Sequence, residues 1–393
     1  MSETPTTSVY VPCYNAERTL SDVLSAILTQ SNRPNEVFVV NDGSTDGTAD
    51  IAARFASQGV AVVSQPHNMG LAAARNRALA TATGEMLIGL DADVLPAPDF
   101  IANALTCLAA HPKADALCGR LTERHTDDVA NRWRATHMSL DLGPEPYENP
   151  RFLFCGVTCM RREAAKRVGG WDDRFRASYD DVDFTERLRA HGIRFRYEAS
   201  CCAQHLKRDT PQSVLRGFWG WFKPAGVLRG HFDSFDAWVR LRIEAVQWGI
   251  FRYRFARDLD GSRDELLALT LLLPWVMTVY DLCELQGRSD LDARRSARAA
   301  QALPDVARRV LASKGAPTEV VEWAGTEISK HVAKAQWHDE GGDESVTEAI
   351  EEFRDVAARS LPHDVRTWRR VLTGCKAIIM DEARTGCAVG ATE

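Results

Sequence analysis

Between Ser8 and about residue 205, short apolar runs alternate with segments of helical spacing. This alternation limits the fold more than any other feature of the 393-residue chain. The apolar runs Ser8–Val11, Glu36–Val40, Val60–Ser64, Met86–Leu90 and Ala114–Gly119 read as strands. In the segment 19–30, Leu20, Val23, Leu24, Ile27 and Leu28 form one helical stripe. Thr19 and Ser21 are both placed to cap its start. Asp46–Phe55 reads as a second helix and Leu71–Ala82 as a third. Strands and helices in alternation predict a parallel sheet covered on both faces. The continuous runs FVV and LIGL suit strands buried on both sides.

After about residue 211 the rhythm changes. Helical patterns dominate at Asp236–Phe251, Leu291–Leu303, Val320–Ala335 and Ser345–Ala358, with Gly261, Pro304, Gly315, Gly341 and Pro362 between them. We therefore expect an α/β domain over residues 1–210 and a mostly helical region over 211–393. The most apolar stretch, Leu266–Tyr280, is shorter than the ~18–20 residues of a membrane span, and Pro274 interrupts it, so a buried core helix is expected. A formal charge of −6 argues against a general nucleic-acid binder. None of the ten cysteines stands in a CxxC pair or at zinc-finger spacing, so reduced, mostly buried thiols are expected. The first residues hold no basic segment followed by an apolar run. The expected location is the cytoplasm, with a peripheral contact at the inner face of the cell membrane left open.

In such sheets, ligands bind beyond the carboxyl ends of the strands. The polar clusters stand there. The first strand ends in Pro12–Cys13–Tyr14–Asn15, the second in NDGSTDGT (41–48), the fourth in Asp91–Ala92–Asp93. Each has an ordinary reading: NDGSTDGT as a turn and helix cap, the DAD as an acidic loop. The last is the most demanding, because a buried strand runs straight into two carboxylates, which are costly to leave unpaired.

Taken together, VPCYNAE, VVNDGSTDGT, NMGLAAARN, LDADVLP and GGWDDRF with YDDVDFTERL occur in order over residues 8–205. This series resembles the inverting nucleotide-sugar glycosyltransferases of family 2, with the GT-A fold: a Rossmann-like, mostly parallel sheet with helices on both faces, followed here by a mostly helical C-terminal region. The resemblance implies a donor site formed by Pro12, Tyr14, Asn15, Glu17, Asp42, Asn68, Gly70, Arg75, Asp91 and Ala92. Tyr14 would line the base pocket, Asp42 would accept a hydrogen bond from the base, and Arg75 would be the cationic contact. Asn41 departs from the more usual aspartate. Asp91 and Asp93 resemble the DxD, with Asp93 as ligand of Mn²⁺ or Mg²⁺, Asp91 beside it, and His205 completing the site. A divalent ion reverses the repulsion between carboxylates and a diphosphate. If the strand pleat continues, the two aspartates point to opposite sides.

YDDVDFTERL matches the family's acidic motif at a helix start. Asp181 is then the catalytic base, and Asp180, in place of the common glutamate, is a second catalytic candidate that could share the role. Gly156, Trp171 and Asp172 would shape the acceptor pocket, with Trp171 as a stacking face. The implied reaction is inverting transfer of a sugar, from a UDP-sugar by family frequency, to a hydroxyl of a glycan, glycolipid or protein. The alternatives are a non-catalytic nucleotide-sugar or glycan-binding protein, and a sugar nucleotidyltransferase. The latter lacks its glycine-rich basic signature here. Arg216–Phe232, which mixes Phe218, Trp219, Trp221 and Phe222 with basic residues, suits a membrane interface, a carbohydrate site or a domain seam.

Overall fold

A computed structural model describes residues 5–243, 247–335, 337 and 344–389. The chain divides into two compact units. One is Met1–His125 with Ser139–Arg208, and the other is Thr126–Met138 with Asp209–Glu393.

In the α/β unit the elements run β1 (Thr7–Cys13), α1 (Leu20–Leu28), β2 (Glu36–Asn41), α2 (Thr48–Arg54), β3 (Val60–Ser64), α3 (Leu71–Thr81), β4 (Met86–Leu90), β5 (Val94–Pro96), α4 (Phe100–Ala110) and β6 (Ala116–Glu123). After residues 126–138, which hold α5 (Val129–His137) of the other unit, come β7 (Tyr147–Glu148), β8 (Val157–Arg161), α6 (Arg162–Arg167), α7 (Asp180–Ala190) and β9 (Phe195–His205). The strands form one sheet in the order β3-β2-β1-β4-β8-β6-β9-β5, with β7 on β9. The expected parallel ladder holds for β1, β2, β3 and β4. It breaks at β8, which is antiparallel to both β4 and β6. The sheet is therefore mixed, within the mostly parallel arrangement expected. β8 escaped the sequence reading because its five residues pass directly into α6 with no turn residue between them. β9 escaped it because its polar residues, Glu198, Ser200 and Gln204 among them, break up its apolar ones.

The second unit is helical: α5, then α8 (Pro211–Leu228), α9 (Phe235–Arg242), α10 (Trp248–Asp260), α11 (Asp264–Leu285), α12 (Asp290–Ser313), α13 (Thr318–Ala333), α14 (Glu344–Ser360) and α15 (Val365–Val389). Pro274 and Pro304, expected to interrupt or end helices, lie inside α11 and α12. At 22 residues α11 is long and apolar enough to cross a membrane, but its side chains from Leu266 to Val279 are packed inside the unit. Burial of that apolar surface outweighs the hydrogen bond a mid-helix proline removes.

The division falls at Arg208/Asp209, beside the expected 210, and differs in that Thr126–Met138 joins the helical unit. Trp133 is fully buried and its Nε1 donates to Thr270 Oγ1 (2.9 Å), which donates to Asp258 (2.6 Å). The other Asp258 oxygen lies 2.7 Å from His137 Nε2. A second buried carboxylate, Asp281, accepts hydrogen bonds from Trp219 and Trp238 Nε1, Gln247 and Arg242. Trp219 thus belongs to the core of the helical unit. Buried charges persist only when paired in this way.

Candidate active site

β2, β1 and β4 are parallel neighbours, with Cys13 beside Asn41 and Tyr10 beside Gly89, so their carboxyl ends open on one edge. Two of the end loops are stitched together. Asn15, at φ 51°, donates from its backbone to Ser44 Oγ (3.0 Å) and accepts from Thr45 N–H (2.8 Å). Glu17 accepts from Gly47 N–H (2.9 Å), and Thr48 Oγ1 accepts from Ala16 N–H (2.7 Å). These bonds shape one wall of a cleft of about 620 Å³, lined by Pro12, Tyr14, Asn15, Glu17, Asp46, Asp91, Ala92 and Asp93. Tyr14 presents half of its surface.

Asp42 is placed differently from expectation. It is buried, and its two oxygens accept from Gln65 Nε2 (2.7 Å), Met69 N–H (2.7 Å) and Gly70 N–H (2.8 Å). It anchors the loop between β3 and α3 rather than facing the cleft. Asn68 and Gly70 belong to the same tie. Arg176 donates to the Asn68 carbonyl (2.8 Å), and Gly70, at φ 103°, leaves no room for a Cβ against the Arg176 backbone.

The partners of the DAD carboxylates are now visible. The pleat does not continue past Leu90: a turn closes instead, with Val94 N–H on the Asp91 carbonyl (2.9 Å). The turn sends the two side chains to different partners. Asp91 meets Arg75 Nη2 at 3.1 Å, and Asp93 meets His205 Nε2 at 3.3 Å. His205 Nδ1 in turn lies 3.4 Å from Glu123, a residue not singled out from sequence. Burial alone would lower the His205 pKa, but hydrogen bonds to Asp93 and Glu123 raise it to about 9. Burial likewise pushes Asp93 up, and the His205 hydrogen bond outweighs it, leaving Asp93 below its ordinary value.

Arg75, expected as the cationic contact of the donor site, is instead a strut. It is 2% exposed, and its guanidinium bridges Asp91 and the buried Asp180 at the start of α7. Its neighbours Ala72, Ala73, Ala74 and Ala78 are buried too, and that alanine-rich context was the available signal. The cations that line the cleft are Arg18, Arg124, Lys207 and Arg208.

α7 begins after Tyr179, held at φ 71°. Asp181 accepts from Val182 N–H (2.8 Å). Burial and the neighbouring Asp180 charge raise its pKa to about 7, Arg75 opposes them, and the Asp91 charge adds to the rise. Asp183 points elsewhere, onto Arg187 (2.7 Å).

Of the three acceptor residues, Gly156 touches the centre. Its carbonyl accepts from Asp91 N–H (3.0 Å), and a Cβ added to it would overlap the Asp91 carboxylate. Gly156→Ala is expected to cost about 1–3 kcal/mol by overpacking, read as a lowered melting temperature. An unchanged melting curve would show that Asp91 can move aside freely. Trp171 is corrected: it is 3% exposed and stacks on Phe184 (4.4 Å between centroids), so no face remains for a sugar. Asp172 is paired with Arg174 (2.6 Å).

Residues 8–169 match the family model described as glycosyl transferase family 2. A putative glycosyltransferase, EpsE, of Bacillus subtilis (strain 168) is 35% identical over 225 residues, covering 56% of this chain and 78% of that protein. The chain belongs to glycosyl transferase family 2. Another relative of this family 2 chain is the pre-mycofactocin glycosyltransferase of Mycobacterium tuberculosis, 30% identical over 187 residues, with 46% of this chain and 39% of that protein covered. The chain thus spans about two fifths of that relative's length. Among solved structures, Staphylococcus aureus TarS residues 1–349 in complex with UDP is similar at a TM-score of 0.44 and 14% identity, covering 90% of each chain. The sheet of the α/β unit is mixed, mostly parallel and accompanied by helices, and a helical region follows it in the chain.

Proposed function

We propose that the α/β unit transfers a sugar, with inversion, from a nucleoside-diphosphate sugar to an acceptor hydroxyl, with a UDP-sugar as the first donor to test. The observation that carries this reading is the acidic centre at the strand ends. Asp91 and Asp93 open on the cleft, and the Asp91 charge reaches Asp181, a carboxylate whose pKa is about 7. A base works best when its pKa lies near the operating pH. Asp181 takes the proton from the acceptor hydroxyl as that oxygen attacks the anomeric carbon from the face opposite the leaving group. Tyr14 and Glu17 flank the nucleotide, and Arg18, Arg124, Lys207 and Arg208 attract its phosphates. Arg75 keeps Asp91 and Asp180 in place.

The residue types at this centre suit a divalent cation, and among the described residues no three such ligands gather on one point. Asp93 Oδ2 and His205 Nε2 stand 3.3 Å apart, a spacing at which both can reach one ion, and oxygen with imidazole nitrogen suits Mn²⁺. Asp93 and His205 would hold it, with Asp91 beside them. When bound, it would offset charge on the departing diphosphate as a Lewis acid. His205 must lose its proton to ligate. Affinity for Mn²⁺ is therefore expected to rise as pH rises towards about 9, by about tenfold per unit, and titration calorimetry checks this.

The deciding experiment incubates the protein with UDP-, GDP- and dTDP-sugars, with Mn²⁺, Mg²⁺ or EDTA, and detects released nucleoside diphosphate. Metal-dependent release from one donor, lost in Asp93→Ala, is the expected result. Binding of a donor without release would favour a non-catalytic binding protein. No thermal shift with any nucleotide would overturn the reading.

A further inference from the structure

The charge of the helical unit is uneven. The whole chain carries −6, yet residues 211–257 contain eight Arg and Lys against three acidic residues. Some of these cations serve the interior: Arg242 pairs with Asp281, and Arg254 stacks over Phe218. Lys223 pairs with Glu284. Arg216, Arg229, Arg240, Arg252 and Arg257 are exposed. Among them stand apolar side chains that the core does not use: Trp221 (38% exposed), Val227 (43%), Leu228 (55%), Leu241 (37%) and Tyr253 (63%).

Their arrangement is ordered. On α8, Phe218 and Trp219 turn inward, whereas Trp221 and Leu228, seven residues apart, share an outer face. α8 and α10 both pack on α11, and the Arg254 guanidinium lies over Phe218 of α8 (4.4 Å) and near Tyr253 of α10 (5.9 Å). Arg254 thus joins α10 to α8 at Phe218. Large apolar residues in water are costly, and here they are bordered by cations in an otherwise acidic chain. A bilayer interface with anionic headgroups accommodates both, taking up Trp and Tyr at the headgroup level and attracting Arg.

We propose that the exposed face of α8, with α9 and α10, docks on an anionic phospholipid surface. Asp233 and Asp236 lie within the same stretch, and Asp236 is paired with Arg295, so the patch keeps its positive sign. Docking would bring the chain to the surface where membrane-borne acceptors are found.

The test is sedimentation of the full chain with vesicles of phosphatidylcholine alone or mixed with phosphatidylglycerol. The expected result is binding to the mixed vesicles only, weakened by high salt. Trp221→Ser with Leu228→Ser, and separately Arg229→Glu with Arg240→Glu, should each weaken binding by about tenfold or more. Arg229 and Arg240 are exposed, so an unchanged melting curve is expected for the charge variant; Trp221 is 38% exposed, so the apolar variant is expected to melt somewhat lower but still cooperatively. The proposal is overturned if the wild-type chain stays in solution with the mixed vesicles, or if both variants bind as it does. A lipid-free dimer abolished by the Trp221 and Leu228 changes would assign the face to a second copy of the chain instead. Donor turnover without vesicles is read separately, so this result and the transferase reading can fail independently.

Discussion

Asp181→Asn is expected to lower kcat by about 10²–10⁴-fold, the usual contribution of a positioned base, while donor binding changes little. The prediction follows from how two adjacent aspartates divide their surroundings. Asp180 is buried against the Arg75 guanidinium and is not free to take a proton from an acceptor. Asp181 is partly exposed, and burial with the Asp180 charge lifts it to about 7. In the wild-type chain the rate should fall as pH drops below that value, because the protonated carboxyl cannot act as base. The residual activity of the asparagine variant should lack that limb. Stability should move the other way. A carboxylate whose folded pKa is raised leaves stability intact below its unfolded value and loses it as pH rises towards about 7. Asparagine mimics the protonated form, so the variant should melt higher than wild type at pH 8. A variant that is both less stable and less active would point to a structural role for Asp181. Near-normal transfer would remove it from the mechanism.

The second large effect is Arg75→Met. Arg75 fills its site with 2% of its surface exposed and holds two carboxylates, Asp91 and Asp180, from opposite ends of its guanidinium. Methionine can occupy much of the volume but leaves two charges uncompensated. Breaking a buried pair in this way costs about 3–5 kcal/mol, and a fall of roughly 10 °C in the melting temperature of the α/β unit is expected. Acid should partly relieve the defect at Asp91, whose carboxyl pKa burial already holds above its ordinary value. Adding Asp180→Asn should restore part of the loss at neutral pH, a non-additivity expected of direct partners. Additive effects would mean that the two residues do not act as a pair. A melting temperature within a degree or two of wild type would mean that the carboxylates find other partners.

Both predictions rest on contacts that the linear chain does not display. The elements themselves were legible. The stripe Leu20, Val23, Leu24 and Ile27 is the buried face of α1, and β3 and β4 occupy the expected residues. Periodicity reports burial directly, because a side chain's place on a helix or strand follows from its position in the repeat. The clustering of three polar strand ends was legible for the same kind of reason, since parallel neighbouring strands must end on the same side.

What each polar side chain touches was another matter. Arg75 and Asp180 are 105 residues apart, and His205 and Asp93 are 112 apart. Asp42 turned out to be a loop anchor, Trp171 a core residue and Arg75 a strut. Aspartate, tryptophan and arginine are written identically whether they face a ligand or the interior. Residues 126–138 show the same limit at a larger scale. Nothing local in them says that Trp133 finds Thr270 or that His137 finds Asp258. By itself the sequence determined the strand and helix rhythm, the edge on which the acidic groups gather and the family to which they belong, because local periodicity and local motifs carry that information. Only the tertiary structure decided which carboxylate is paired and which keeps a raised pKa, because ion pairing and desolvation depend on distances between residues far apart in the chain.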